Sequence, residues 1–287
     1  MTLSKNMNVL IVGLGLIGGS YAKALTKRGF RVTAITKDQS SINYAIGNGF
    51  IETGSTAVDP ALVKEANVIV FALYPQVFID WIREYQHLLS PNTILTDVTG
   101  VKCSVVYEIQ SILRPDVEFI AAHPMAGKEV YGVENSDEKL FEKANYIVIP
   151  TDKNTEDAIS FCEQLGWALG FANVSRLTPE EHDDMIGFLS QLTHCIAISL
   201  MNCNDTPGME AYTGDSFRDL TRIARINETM WSELFMRNRE MLLKHMDAFT
   251  KTFNEFKHML EQGDVDGMQA AMRHSTERRA LFDKKES

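Results

Sequence analysis

The run M-N-V-L-I-V-G-L-G-L-I-G-G-S, Met7 to Ser20, decides the fold. Met7 to Val12 reads as an apolar strand, and the glycines that follow are spaced G-x-G-x-x-G before a helical run ending near Arg28. Gly13 permits a tight turn, Gly15 lets the backbone approach a pyrophosphate, and Gly18 allows close helix-strand packing, with the helix N-terminus facing the anion. A glycine pattern alone also occurs in structural turns. Here it follows a strand, opens a helix closed by Gly29, and leads into a second strand, Phe30 to Thr36, which is the context a dinucleotide fingerprint requires. Gly13, Leu14, Gly15, Leu16, Ile17 and Gly18 are the expected cofactor contacts, joined by Leu73 at the end of a later strand.

The second phosphate of the cofactor is read about 20 residues on, where an acid usually binds the ribose hydroxyls of NAD. That place holds T-K-D, Thr36, Lys37 and Asp38. Thr36 with Lys37 can accept a 2′-phosphate, whereas Asp38 serves NAD if the strand runs longer; a solvated turn of mixed charge is the plain alternative. The expectation is NAD or NADP, leaning slightly to NADP.

Further apolar runs at Val68–Leu73, Thr93–Thr96, Phe119–Ala122, Tyr146–Ile149 and Phe171–Val174 alternate with helical stretches. This predicts an α/β architecture, a Rossmann-like, doubly wound parallel sheet over residues 1–176, with the ends of the early runs on one edge. After Arg176 the alternation stops. L-T-P-E-E opens a helix, with Thr178 as N-cap, Pro179 in the first turn and Glu181 completing a capping box. That helix is expected to run past His182 and His194 to about Asn202, and helical periodicity resumes near Phe217 with a break around Gly263. Residues 177–287 are therefore expected to be an all-helical domain which, by fold-level analogy, closes the substrate cleft and forms a homodimer.

The chain has 287 residues, 45% hydrophobic and 23% charged, with a formal net charge of −10. That balance argues against nucleic acid or an anionic membrane as a partner. The longest apolar stretch, Ile186 to Met201, is interrupted by Gln191, Thr193 and His194 and is expected to be a buried helix instead of a membrane span. No signal peptide is visible, and Cys103, Cys162, Cys195 and Cys203 lack CxxC spacing, which fits reduced thiols and a cytoplasmic location. No metal site is expected.

F-I-A-A-H-P-M-A-G, Phe119 to Gly127, ends an apolar strand in a histidine. Pro124 and Gly127 stop any helix, which sets His123 at the carboxyl edge where ligands bind in open α/β sheets. Histidine moves protons near neutral pH; a residue that merely caps the strand is the structural alternative.

Taken together, V-G-L-G-L-I-G-G-S, T-D-V-T-G-V-K (Thr96 to Lys102), H-P-M-A-G, E-E-H-D-D (Glu180 to Asp184) with S-Q-L-T-H (Ser190 to His194), and F-R-D-L-T-R-I-A (Phe217 to Ala224) resemble the prephenate dehydrogenases, with the related arogenate dehydrogenases, over nearly the whole chain. The resemblance implies oxidation of the ring C4 hydroxyl of prephenate with loss of CO2 and hydride transfer to NAD(P), in tyrosine biosynthesis. It implies His123 as catalytic base, His194 as a substrate contact and Arg222 as the main partner of a substrate carboxylate through two parallel hydrogen bonds. His182 is read as supporting the helix start. Arg218 and Arg225 are lesser candidates, since 218, 222 and 225 share one helical face, and such a face is also commonly solvated. The chain departs from the family pattern at Gln191 and Thr193, and at Gly100, where a serine is usual. Thr99 is expected to supply that hydroxyl, and Lys102 to contact the cofactor or hold the loop. Too little chain follows Arg222 for a mutase or tyrosine-sensing domain, so the enzyme is expected to be monofunctional, with any tyrosine inhibition competitive.

Two other readings stand beside this one. A β-hydroxyacid dehydrogenase shares both halves but usually needs a helical lysine as its acid-base group, and a dinucleotide-sensing regulator would bind NAD(P) without turnover.

Overall fold

The computed structural model describes residues 2–128 and 130–283. They form two compact units, Met1–Asn238 and Arg239–Ser287.

The first unit begins with β1 (Asn8–Val12), α1 (Leu16–Lys27), β2 (Arg31–Ile35), α2 (Gln39–Gly47), β3 (Thr53–Ser55), α3 (Pro60–Glu65), β4 (Val68–Phe71), α4 (Pro75–Tyr85), β5 (Ile94–Asp97), α5 (Cys103–Ile112) and β6 (Glu118–Phe119). These strands make one sheet in the order β3-β2-β1-β4-β5-β6, every ladder parallel. A parallel sheet is covered on both faces, which is why its central strands are apolar in succession, from Val9 to Val12 in β1 and from Val68 to Phe71 in β4. Val9, Ile11, Val68 and Val70 enter one core cluster, while Leu10, Val12, Ile69 and Phe71 enter the other. The strand order reverses between β1 and β4, so a crevice opens beyond their carboxyl ends.

Two glycines make that crevice possible. Gly13 has φ +101°, and a Cβ there would lie 2.3 Å from the Ala72 carbonyl oxygen; a Cβ on Gly18 would lie 1.9 Å from the Gly13 oxygen. Side chains at either place would drive α1 off the sheet edge.

The run Phe119–Ala122 does not stay in this sheet, contrary to the single parallel sheet expected. Ile120 still donates its N–H to Leu95, but the next amide on that side, Ala122, bonds the carboxylate of Asp97 at 3.2 Å. A side chain thus replaces the neighbouring strand, and the chain turns into β7 (Ala121–Pro124) of a second sheet. This sheet continues through β8 (Asn145–Ile149), α6 (Glu156–Leu169) and β9 (Asn173–Arg176), in the order β7-β8-β9. β7 pairs antiparallel with β8, placing His123 opposite Ile147. The last strand also lies later than Phe171–Val174, because Gly170 (φ +95°) ends α6 and buries Phe171 against Phe141. β3, too short and polar to read as a strand, was not expected.

After Arg176 the chain is helical: α7 (Pro179–Ile186), a π-helical stretch over Gly187–Leu192, α8 (Thr193–Asn202), α9 (Asp215–Thr221), a 3-10 turn over Arg222–Ala224, and α10 (Glu228–Arg237). Thr178 and Glu181 form the expected capping box. These helices belong to the same compact unit as the sheets, and polar contacts tie them there: Glu233 accepts the Gln76 amide at the start of α4, and Asp183 accepts the amides that open α5. The apolar helix is less buried than expected, since Met185, Leu189 and Met201 are about half exposed. Pro179–Asn202 is long and apolar enough to cross a membrane, yet its His182, Asp183 and Gln191 are buried and bonded within the unit.

The second unit consists of α11 (Arg239–Gln262) and α12 (Val265–Ala280), joined at Gly263 with φ +67°. Phe249, Phe253, Phe256 and Leu260 recur at helical spacing along α11 and are exposed.

Gly13→Ala combines a positive φ with a backbone collision and is expected to cost about 2–3 kcal/mol. Gly49→Ala, where φ is +70° but nothing lies within 4 Å, is expected to cost about 1 kcal/mol. Urea unfolding of both variants checks the difference.

Candidate active site

A cavity of about 670 Å³ opens at the crevice. Gly15, Leu16, Ile17 and Gly18 line it from the first turn of α1, Leu73 and Tyr74 from the end of β4, Val98 to Gly100 from the loop after β5, and His123 to Lys128 from β7 onward. The helical segment supplies Ser190, Gln191, His194, Trp231 and Leu234, and the link before α10 supplies Arg225. Nothing lies within 4 Å of where a Gly15 Cβ would be, so open space meets the N-terminal turn of α1. That cradle fits a pyrophosphate. Gly13 and Leu14 shape the turn from behind, Leu14 with its side chain buried in the core.

Thr36, Lys37 and Asp38 lie outside this lining. Asp38 caps α2, accepting from the hydroxyls and amides of Ser41 and Ser40, which pull its exposed carboxyl down to about 2.

Beneath the cavity floor lies a wholly buried ion pair. Lys102 donates to Asp97 at 2.7 Å, to the Ala122 carbonyl at 2.7 Å and to the Thr99 hydroxyl at 3.2 Å, so all three ammonium protons have acceptors. Burial pulls the Lys102 ammonium below its ordinary value, and Asp97 works against that. Of the two roles expected for Lys102, these bonds serve the holding of the loop, and its side chain lies outside the cavity lining. The Thr99 hydroxyl donates to Asp97 and is likewise occupied. Gly100 stands beside His123, and a Cβ there would be 3.9 Å from the imidazole Cε1.

His123 instead pairs with His182, Nδ1 to Nε2 at 2.8 Å. His182 Nδ1 meets Asp183 Oδ1 at 2.8 Å, and that carboxylate also accepts the amides of Lys102 and Cys103, each at 2.8 Å. Burial, the neighbouring His182 and then Lys102 hold His123 well below an ordinary imidazole. Burial also lowers His182, with Asp183 opposing. Asp183 stays below the usual carboxylate range because His182 and the two amides outweigh its burial.

On the helical side, His194 donates through Nδ1 to the Ser190 carbonyl at 2.8 Å; a carbonyl only accepts, so the proton sits on Nδ1. Its ring lies on Trp231, centroids 3.8 Å apart. Gln191 reaches the cavity, but its amide is tied to Asn238 at 2.8 Å and to the Leu234 carbonyl at 3.2 Å. The arginines fall differently from the single face expected. The helix ends at Thr221, a 3-10 turn follows, and Arg225 takes an extended backbone (φ −84°, ψ 93°). Arg225 therefore lines the cavity, whereas Arg222 and Arg218 do not; Arg218 bonds Asp215 and Thr213. Sequence reading missed the His182–Asp183 partnership, although the adjacent His-Asp at a helix start was its visible sign.

Residues 21–169 match the family model described as the prephenate dehydrogenase nucleotide-binding domain, and residues 178–274 the one described as the prephenate dehydrogenase dimerization domain. The chain belongs to the prephenate dehydrogenase family. It is 30% identical to a prephenate dehydrogenase of Bacillus subtilis (strain 168) over 270 residues, 91% of this chain and 72% of that one. A cyclohexadienyl dehydrogenase of Zymomonas mobilis is 26% identical and covers 93% of this chain and 92% of its own length. Among solved structures, prephenate dehydrogenase from A. aeolicus in complex with hydroxyphenyl propionate and NAD+ superimposes with TM-score 0.90 at 29% identity, covering 99% of this chain and all of that one. Synechocystis arogenate dehydrogenase, at 22% identity and TM-score 0.83, shares the fold. This member of the prephenate dehydrogenase family is thus an oxidoreductase that uses a nicotinamide cofactor.

Lys102→Met leaves the Asp97 carboxylate buried without its ammonium, and a loss of about 3–5 kcal/mol is expected in thermal or urea unfolding. Full stability in that variant would show that the pair holds nothing together.

Proposed function

We propose that the cavity binds prephenate against the nicotinamide and carries out the oxidative decarboxylation characteristic of the family, yielding 4-hydroxyphenylpyruvate. The observation that supports this most is a histidine with a depressed pKa on the wall of a cavity whose other end is a glycine cradle on a helix N-terminus. When bound, the nicotinamide accepts hydride from ring C4.

His123 takes the C4 hydroxyl proton, a role worth about 10² to 10⁴ in rate. The reaction returns it: as CO2 leaves, the C4 oxygen becomes a phenolate and recovers the proton from His123, so none is released overall. Arg225 and His194 hold the substrate carboxylates. Arg225 replaces Arg222 in that role because it lines the cavity and Arg222 does not. Ile17, Leu73, Trp231 and Leu234 give the ring apolar walls and keep water from the reacting carbon. Leu16 and Gly18 hold the pyrophosphate with Gly15. We propose NADP as the favoured cofactor, since Asp38 is committed to capping α2 while Thr36 and Lys37 follow directly on β2.

We further propose that residues 177–287 form the substrate-closing and dimerising part of a cytoplasmic homodimer. Support comes from the family description of residues 178–274 and from the exposed aromatic stripe on α11, which fits a second copy of the chain.

Reduced-cofactor absorbance with prephenate or arogenate and NAD or NADP tests the reaction, with prephenate and NADP expected fastest; cofactor binding with no turnover on any pair would overturn it. His123→Asn is expected to lower turnover about 10²-fold or more at unchanged cofactor affinity, and Arg225→Gln to raise KM more than Arg222→Gln does. Because a depressed pKa keeps His123 unprotonated to lower pH, the acid limb of kcat/KM is expected below the ordinary imidazole value of about 6.5. For the dimer, Phe253→Asp combined with Phe256→Asp is expected to halve the sedimenting mass, and an unchanged mass would remove α11 from the interface.

A further inference from the structure

His182 and Asp183 are more than supports for a helix start, and the reason lies in which nitrogens carry protons. A carboxylate only accepts hydrogen bonds, so His182 must carry its proton on Nδ1, facing Asp183. Its Nε2 then has a lone pair, and His123 Nδ1, 2.8 Å away, must be the donor. That leaves Nε2 of His123 unprotonated, on a ring that lines the cavity. Each tautomer in the row is dictated by the one behind it, back to a carboxylate that two backbone amides fix in place.

We propose that Asp183 and His182 form a proton relay behind His123: they select its reactive tautomer and take up its second proton during turnover, replacing the positioning hydroxyl that Gly100 cannot supply. The proposal rests on the reading of His123 as the base. When the C4 hydroxyl proton bonds to His123 Nε2, the N–H bond at His123 Nδ1 breaks and one forms at His182 Nε2. His123 is again neutral, and the cation sits on His182 against Asp183. When the C4 oxygen becomes a phenolate, the two protons shift back and the row returns to its starting state. No proton is gained or lost, and the nicotinamide remains the oxidant. The Lys102 ammonium opposes a cation on either ring, but His182 also touches the Asp183 carboxylate with Asp97 nearby, whereas His123 has no carboxylate among the groups that shift it and shares its cavity with Lys128, Arg225 and His194. Thr99, the hydroxyl expected to stand in for the one missing at Gly100, is held by Asp97 and Lys102.

Three measurements on the full chain test this. First, 15N NMR of the histidine rings in the unaltered protein, which needs no substrate, is expected to show His123 protonated at Nδ1 and bare at Nε2; the opposite tautomer overturns the relay outright. Second, His182→Gln can still accept from His123 but cannot carry a proton onward. Its kcat is expected to fall about 10- to 100-fold with cofactor Kd within about twofold, and the acid limb of kcat/KM to shift away from that of the unaltered enzyme, because the proton can no longer settle on a ring that Asp183 supports. Retained kcat with a superimposable pH profile would reduce His182 to packing. Third, Asp183→Asn keeps an oxygen for His182 and Lys102 at the Oδ1 position but loses the carboxylate charge that supports the His182 cation; kcat is expected to fall about 10²- to 10⁴-fold with the His123 proton still on Nδ1 in the NMR spectrum, and retained kcat would overturn the relay. Should the unaltered enzyme turn over neither prephenate nor arogenate, the substrate reading fails while the spectrum of the unaltered protein still decides the tautomers on which the relay depends.

Discussion

One ammonium group organises this active site. Lys102 is wholly buried, and its three protons go to the end of β5, to the loop beyond it and to the backbone of β7, one residue before His123. Its own amide goes to Asp183 on α7. A single residue therefore sets the distance between the strand that carries the base and the helix that carries its partner. A buried charge pair is poor as a source of net stability, since desolvation consumes most of the attraction. Its value is in specificity. Any other arrangement of β5, β7 and α7 would strand a charge in the core, so the geometry around His123 has few alternatives of comparable energy.

The same logic explains how the site manages without a hydroxyl beside its base. A neutral imidazole can present either nitrogen to a substrate, and a base needs the bare one forward. Here the choice is made from behind, by a carboxylate whose acceptor-only character passes through two rings. The carboxylate is itself part of a helix terminus, since it accepts the first amides of α5. Catalytic orientation and helix capping are thus one set of hydrogen bonds. The cofactor end depends on a different kind of constraint, the absence of side chains at Gly13 and Gly18, where backbone must touch backbone.

The parts of this molecule that could be read from the sequence are those whose physics is local. The glycine turn, the apolar strands of the first sheet and the capping box at Thr178 each announce themselves within a few residues. The second sheet does not. Phe119 to Ala122 is one unbroken apolar run, and what divides it is a carboxylate 25 positions earlier that takes the Ala122 amide. Helical spacing likewise put 218, 222 and 225 on one face, but the helix stops at Thr221, and only Arg225 turns inward. Lys102 and Thr99 carried the right chemistry for a surface role; burial and mutual bonding assigned them an interior one. His182 was visible as a residue and invisible as a partner, because nothing in sequence brings positions 123 and 182 together.

The π-helical stretch over Gly187–Leu192 has a bearing on the site that no side chain discloses. His182 and His194 are twelve positions apart, and at about 100° per residue an unbroken α-helix would leave them about 120° apart around the axis. A π turn absorbs one extra residue, which brings the offset back to about 20°, so that His182 meets His123 and His194 lines the cavity from one side of the segment. The length of this segment is therefore a functional parameter in its own right. Removing any one of its residues would restore ordinary winding and rotate everything downstream by about a quarter turn or slightly more, so His194 would swing away from Trp231 and the cavity with its chemistry untouched. A library of point substitutions keeps residue count constant and would pass over this dependence, whereas a single deletion would expose it.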